Sequence, residues 1–151
     1  MTAAEGIARR KTPIHVWIVG ILALLWTLMG VFDYLATQLE LEAYMSQFTE
    51  EQLDYFYGFP AWVDGAWAIA VWCALFGSFG LLFRQGWSVA MFGASILGML
   101  VTALYNFAFS DGIAVMGEEA LAFTALIWVI AIALFFYASA MKRRGVLGRA
   151  D

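Results

Sequence analysis

Reactive side chains are scarce in this chain of 151 residues, which holds one cysteine, Cys73, and one histidine, His15. A lone cysteine excludes an internal disulfide and a Cys-x-x-Cys redox pair. A lone histidine excludes bis-histidine haem ligation within one chain. Together they supply only two of the four ligands that a zinc site of the usual Cys/His type takes, so none is expected. No nucleophile-base pair and no cofactor motif is visible, so no catalytic residue, metal or cofactor is expected. Charge is sparse as well, at 13% of residues, and it is missing in a pattern. No lysine or arginine lies between Lys11 and Arg84, or between Arg84 and Lys142.

Apolar residues fill those gaps. The chain is 64% hydrophobic, too apolar for an ordinary soluble domain. Four stretches, roughly 14–36, 60–83, 87–109 and 119–141, each have the length of about 23 residues that crosses a hydrocarbon core of roughly 30 Å. The expected fold is all-α, an integral membrane four-helix bundle, with residues 1–151 as a single transmembrane domain. All eight basic residues flank one side: Arg9, Arg10 and Lys11, then Arg84, then Lys142, Arg143, Arg144 and Arg149. Glu40, Glu42, Glu50, Glu51, Asp54, Asp111, Glu118 and Glu119 fall by the other two connections. Basic flanks stay cytoplasmic, so a multi-pass inner-membrane protein with both termini in the cytoplasm is expected. The lipid bilayer is then the first partner. The basic clusters are explained by topology and call for no nucleic acid. The first stretch is longer than a signal-peptide core and no small-x-small site follows it, so it reads as a permanent span.

The longest connection, about residues 37–59, carries its own helix signal. Thr49-Glu50-Glu51-Gln52 fits a capping box, with Thr49 as N-cap and Gln52 at N3, flanked by Phe48 and Leu53 as a hydrophobic staple. A short interfacial helix is expected from Glu50 to about Tyr57. Gly58 suits its end, and Pro60 the first turn of the next span. Tyr44, Tyr55, Phe56, Tyr57, Phe59 and Trp62 give this outer hairpin an interfacial character. It seals the bundle on the membrane surface or, as a sharper alternative, forms a lid over a solute pocket.

Small residues recur along three spans: Gly20, Ala23, Thr27 and Gly30; Ala66, Ala70, Ala74 and Ser78; Ala90, Ala94, Gly98 and Thr102. Such stripes let helices approach closely in lipid, within one bundle or in a homodimer. The short Arg84-Gln85-Gly86 turn makes spans two and three antiparallel neighbours.

Polar groups gather near the outer boundary. Asp33, Asp64 and Asn106 sit about 5 Å inside the outer ends of their spans, with Glu118 and Glu119 bordering the same level. Asp64, Glu118 and Glu119 stand at helix N-termini, where a carboxylate is favoured. Asp33 stands at a helix C-terminus, where the dipole opposes its charge. It shares the small-residue face of its span, and no basic side chain is within reach. Its expected partners are Asn106, Tyr34, Tyr105, backbone donors, a proton or a cation. Intramembrane ionisable residues default to a functional hypothesis. Asp33, Asn106, Asp64, Tyr34, Tyr105 and Glu118 are therefore the candidate ligand-binding residues.

Pro13-x-His15-x-Trp17, Leu25-Trp26, Gly30-x-x-Asp33-Tyr34, Phe48-Thr49-x-Glu51-Gln52, Tyr57-Gly58-Phe59-Pro60-x-Trp62 and Tyr105-Asn106 give the chain a further likeness. Over nearly its whole length it resembles a group of small four-span inner-membrane proteins common in alphaproteobacteria, whose members often carry an automatic "sugar transporter" label. The resemblance implies the same four-span topology. Two function classes remain open. One is a solute or ion transport component with an outward-facing acidic and aromatic pocket, suited to cations or neutral polar solutes. The other is a non-transporting accessory or structural protein that binds a membrane partner through its outer hairpin or small-residue faces.

Overall fold

The computed structural model describes residues 12–148; the basic residues Arg9, Arg10, Lys11 and Arg149 lie outside the described residues. The fold is all-α, with four helices long and apolar enough to cross a membrane. Helix α1 runs over Ile14–Gln38. A short α2, Glu42–Met45, and α3, Glu50–Tyr57, form the first connection. Helix α4 is Ala61–Leu82, α5 is Ser88–Leu104, and α6 is Gly112–Arg143. Tyr105–Phe109 extends α5 as one π-helical turn. Pro13 and Pro60 are the N-caps of α1 and α4, where a missing N–H costs no helical hydrogen bond.

Helix α3 begins where its cap chemistry places it. The Gln52 amide donates to Thr49 Oγ1 at 3.3 Å, and the Thr49 amide donates to Gln52 Oε1 at 3.1 Å, closing the box in both directions. Gly58 caps the other end.

Packing follows chain order: α1 lies on α4, α4 on α5, and α5 on α6, while α1 and α6 leave the ring incomplete. The tightest pair is α4 and α5. A Cβ built on Gly98 would stand 2.6 Å from the Ala66 carbonyl oxygen, so the two backbones nearly touch. Ser95 Oγ donates to the Ala70 carbonyl at 2.6 Å, and Ser88 Oγ donates to the Gly77 carbonyl at 2.7 Å. These bonds cross between helices where lipid supplies no hydrophobic drive for association. Thr27 of α1 and Ser78 of α4 meet at 3.2 Å, each also donating to a carbonyl four residues back on its own helix. Among the described residues, no buried side-chain nitrogen or oxygen lacks a partner.

The packing face of α5 differs from the expected stripe. Ser88, Phe92, Ser95 and Gly98 are buried, whereas Ala90 is exposed and Ala94 half-buried. A helix turns about 100° per residue, so a strict spacing of four drifts about 40° per step. Going back from Gly98, two such steps carry Ala90 off the contact. The face is completed by serines that a search for small apolar residues passes over.

The core is displaced toward the end of the bundle where the described residues begin and end, the termini end. Val16, Ala23, Leu81, Phe92, Leu134, Ala138, Met141 and Leu147 form one buried cluster. At the same end, His15 Nδ1 and the Tyr137 hydroxyl meet at 2.6 Å, tying α1 to α6. The tail after α6 folds under the α4–α5 turn, where the Gly148 amide donates to the Arg84 carbonyl at 2.7 Å. Arg84 Nη1 reaches Thr12 Oγ1 at 2.8 Å. This end holds the packed core; the opposite end bears α2 and α3.

Candidate functional site

Above the core, the four long helices line an open-sided cavity of about 790 Å³. That lies within the range of roughly 300–1,000 Å³ usual for small-molecule sites. Phe92 and Leu134, at the top of the core cluster, are its floor. Thr27, Ala74 and Ser95 line its middle, and Tyr44, Phe48 and Phe56 of the hairpin reach in from above. Leu25, Leu28, Met29 and Phe32 of α1 and Phe123 of α6 are both lining and exposed. They mark an opening between α1 and α6, on a side surfaced by apolar residues. The rings of Trp26 and Phe123 stand 6.1 Å apart across this seam.

Among the described residues, Asp33 is the one carboxylate on the cavity wall, and no lysine, arginine or histidine joins it. It is half-buried, and Tyr44 donates a hydrogen bond to its Oδ1 at 2.6 Å. Tyr44 lies outside the spans. Burial first, and then the bond to Asp33, push its hydroxyl above the ordinary tyrosine range, so it remains a donor. The Tyr44 ring packs edge-to-face between Phe32 at 5.5 Å and Phe48 at 5.7 Å, and Phe48 continues the contact to Phe56 at 5.4 Å. The hairpin thus roofs the cavity with rings and is tied to α1 through the Tyr44 phenol.

Asn106 belongs to a second, smaller cavity of about 240 Å³ beneath α3. Tyr55 donates to Asn106 Oδ1 at 2.6 Å and lies 2.8 Å from Ser110 Oγ, fastening α3 to the π-helical turn. Burial is the main cause that raises the Tyr55 hydroxyl above its usual range. Gln52 Nε2 adds a weaker tie to the Val115 carbonyl at 3.4 Å. The two cavities share Phe56, Trp67, Ala70, Met99, Met116 and Ile127 as common wall.

The six candidate residues therefore do not converge on one pocket. Asp33 faces the larger cavity and Asn106 the smaller. Asp64 accepts from Gln38 Nε2 at 3.2 Å, away from both. Tyr34 packs edge-to-face on Trp67 at 5.1 Å, and Tyr105 packs on Phe59 and Trp62, each at 5.6 Å. Glu118 and Glu119 are exposed at the start of the long part of α6. The partner of Asp33 is Tyr44, eleven residues on, rather than Asn106, Tyr34 or Tyr105. Tyr44 was readable as an interfacial aromatic, but nothing local pairs it with Asp33. That pairing needs the chain to reverse at Leu39–Leu41 and lay α2 back over α1.

One feature of α6 has no counterpart in the expected spans. Gly117 has φ 79° and ψ 175°, which breaks the helix between residues 112–116 and the membrane-crossing part. Its neighbour Met116 lines both cavities.

No protein-family model matches the chain, and neither does any curated protein or solved structure compared with it.

Proposed function

We propose that this chain is a solute-binding component of a membrane transport process, with the larger cavity as its binding site and the α2–α3 hairpin as its lid. The observation that carries this reading is a cavity of about 790 Å³ within the bundle, walled by side chains of four spans and holding one carboxylate. A protein that only scaffolds a partner needs no such recess between its spans, and small-molecule sites are usually clefts or cavities of this size. In this reading the termini end is cytoplasmic, as the one-sided basic residues require, and the hairpin faces the periplasm. A reporter fused after Gly86 should then read cytoplasmic and one fused after Gln47 periplasmic; the reverse pattern would invert the direction of the site.

Binding is tested with purified protein in nanodiscs, by thermal midpoint against a panel of sugars, amines and carboxylates. Ala74→Trp places an indole in the cavity, and Ala131→Phe does so from α6 should the first variant fold poorly. Solutes that stabilise the wild type should leave the filled variants unmoved, and those solutes should be taken up by proteoliposomes holding the wild type. A panel that shifts wild type and filled variants alike would remove the cavity from the function and leave the accessory-protein reading.

A further inference from the structure

The chemistry of the cavity wall narrows the class of solute. Resting on the binding role just proposed, we infer that the cavity takes an organic cation with a bulky apolar body, its charge set against Asp33 in place of the Tyr44 hydroxyl.

Three observations lead there. The first is charge. Asp33 lines a mainly apolar cavity with no basic residue on the wall among the described residues, and its hydrogen-bond partner is a neutral phenol. An ion in apolar surroundings is costly unless paired, so a cationic ligand supplies what the protein omits. An anion would meet the carboxylate with nothing to offset it.

The second is the aromatic wall. Trp26, Phe48, Phe56, Trp67, Phe92 and Phe123 all line this cavity. Ring faces attract cations, and the gain rises when water is excluded. A sugar also stacks on such rings, but it needs in addition several fixed donors and acceptors. The polar side chains offered here are few: Asp33, Tyr44, Thr27, Thr37 and Ser95. Thr27, Thr37 and Ser95 donate to backbone carbonyls of their own or a neighbouring helix.

The third is access. The opening lies between α1 and α6, among exposed Leu25, Leu28, Met29 and Phe123. A molecule arriving there comes from the apolar side of the protein and must itself be at home in lipid. A lipophilic cation meets both conditions. When its charge reaches Asp33, it competes with Tyr44 for the carboxylate. Since Tyr44 also anchors the hairpin, occupancy loosens the roof.

Tetraphenylphosphonium and tetraphenylborate are the probes, because they share shape and size and differ in sign. Binding to the full chain in nanodiscs is read by quenching of tryptophan fluorescence, since Trp26 and Trp67 line the site. The phosphonium should bind about tenfold or more tighter than the borate, and Asp33→Asn should erase most of that difference. Tyr44→Phe should tighten the phosphonium several-fold, because the carboxylate no longer gives up a hydrogen bond to bind it. This sign is opposite to that of a variant that merely damages the lid, which would weaken both probes. Circular dichroism and size-exclusion profiles verify that each variant is folded.

Equal binding of the two ions, or a phosphonium affinity unchanged in Asp33→Asn, overturns the cation assignment. If Ala74→Trp still abolishes binding of both ions, the cavity remains the binding site and only its charge preference is refuted. If neither ion binds, the cation assignment also fails, and the solute panel decides separately whether the cavity binds anything.

Discussion

Gly98→Leu should prevent the bundle from closing. The loss of monodisperse protein in detergent, or a large drop in thermal midpoint, is the expected readout. The reason is what the new atoms would meet. A Cβ at this position stands 2.6 Å from the Ala66 carbonyl oxygen and 2.8 Å from the Ala70 amide nitrogen. Both are backbone atoms of α4, so no side-chain rotation relieves the clash, and α4 and α5 must separate. Separation also breaks the bonds from Ser95 to Ala70 and from Ser88 to Gly77. Overpacking alone costs about 1–3 kcal/mol, and the lost interhelical bonds add to it. Ala90→Leu is the matched control on the exposed side of the same helix and should leave the midpoint within a degree or two of wild type, in keeping with small surface effects of about 0.5 kcal/mol. An unchanged midpoint for Gly98→Ala would show that the backbones are not in contact.

Gly117→Val should be the most damaging substitution at a site with nothing around it. No heavy atom lies within 4 Å of a Cβ built there, so neighbour packing predicts tolerance. The backbone predicts the opposite. At φ 79° and ψ 175° the residue occupies a region open essentially to glycine alone, at a cost of about 1–3 kcal/mol for other residues. The cheapest escape is to straighten α6, which swings residues 112–116 and draws Met116 from the wall of both cavities. Faster amide exchange over residues 112–116 and loss of solute-induced stabilisation should accompany a lower midpoint. Glu118→Val, one residue on and exposed, should do none of this. Equal behaviour of the two variants would mean that the break is not fixed by its dihedral angles.

The parts of this fold readable from the sequence are those whose physics is local or periodic. Four spans follow from apolar length, and the start of α3 from Thr49 and Gln52, three residues apart and bonded to each other. The contact of α4 with α5 was foreseeable from Ala66, Ala70, Gly98 and the short turn, but its register was not. Ser88 and Ser95 sit on the contact because their hydroxyls reach carbonyls across it, which no count of small residues reveals. The site was less legible. Asp33 stood out by its poor electrostatic position, and it does line the cavity. Its partner Tyr44 lies on a helix of four residues, too short to show a period. The separation of Asp33 from Asn106 depends on how α3 sits between them through Tyr55. The cavity itself arises where α1 and α6 pack only sparsely beyond the His15–Tyr137 tie, and local pattern carries no mark of that.

The tail beneath the α4–α5 turn bears on how the chain is made. Synthesis runs from the N-terminus, and elements assemble as they emerge. Helices α4 and α5 can pair as soon as Leu104 has emerged, since everything that joins them lies before it. The Arg84 carbonyl cannot receive its bond until Gly148, 64 residues further on, has been made. Leu147, Met141, Ala138 and Leu134 enter the buried cluster equally late. Between completion of α5 and completion of α6 the nascent chain is therefore a three-helix intermediate, open at the end that will finally be the more tightly sealed.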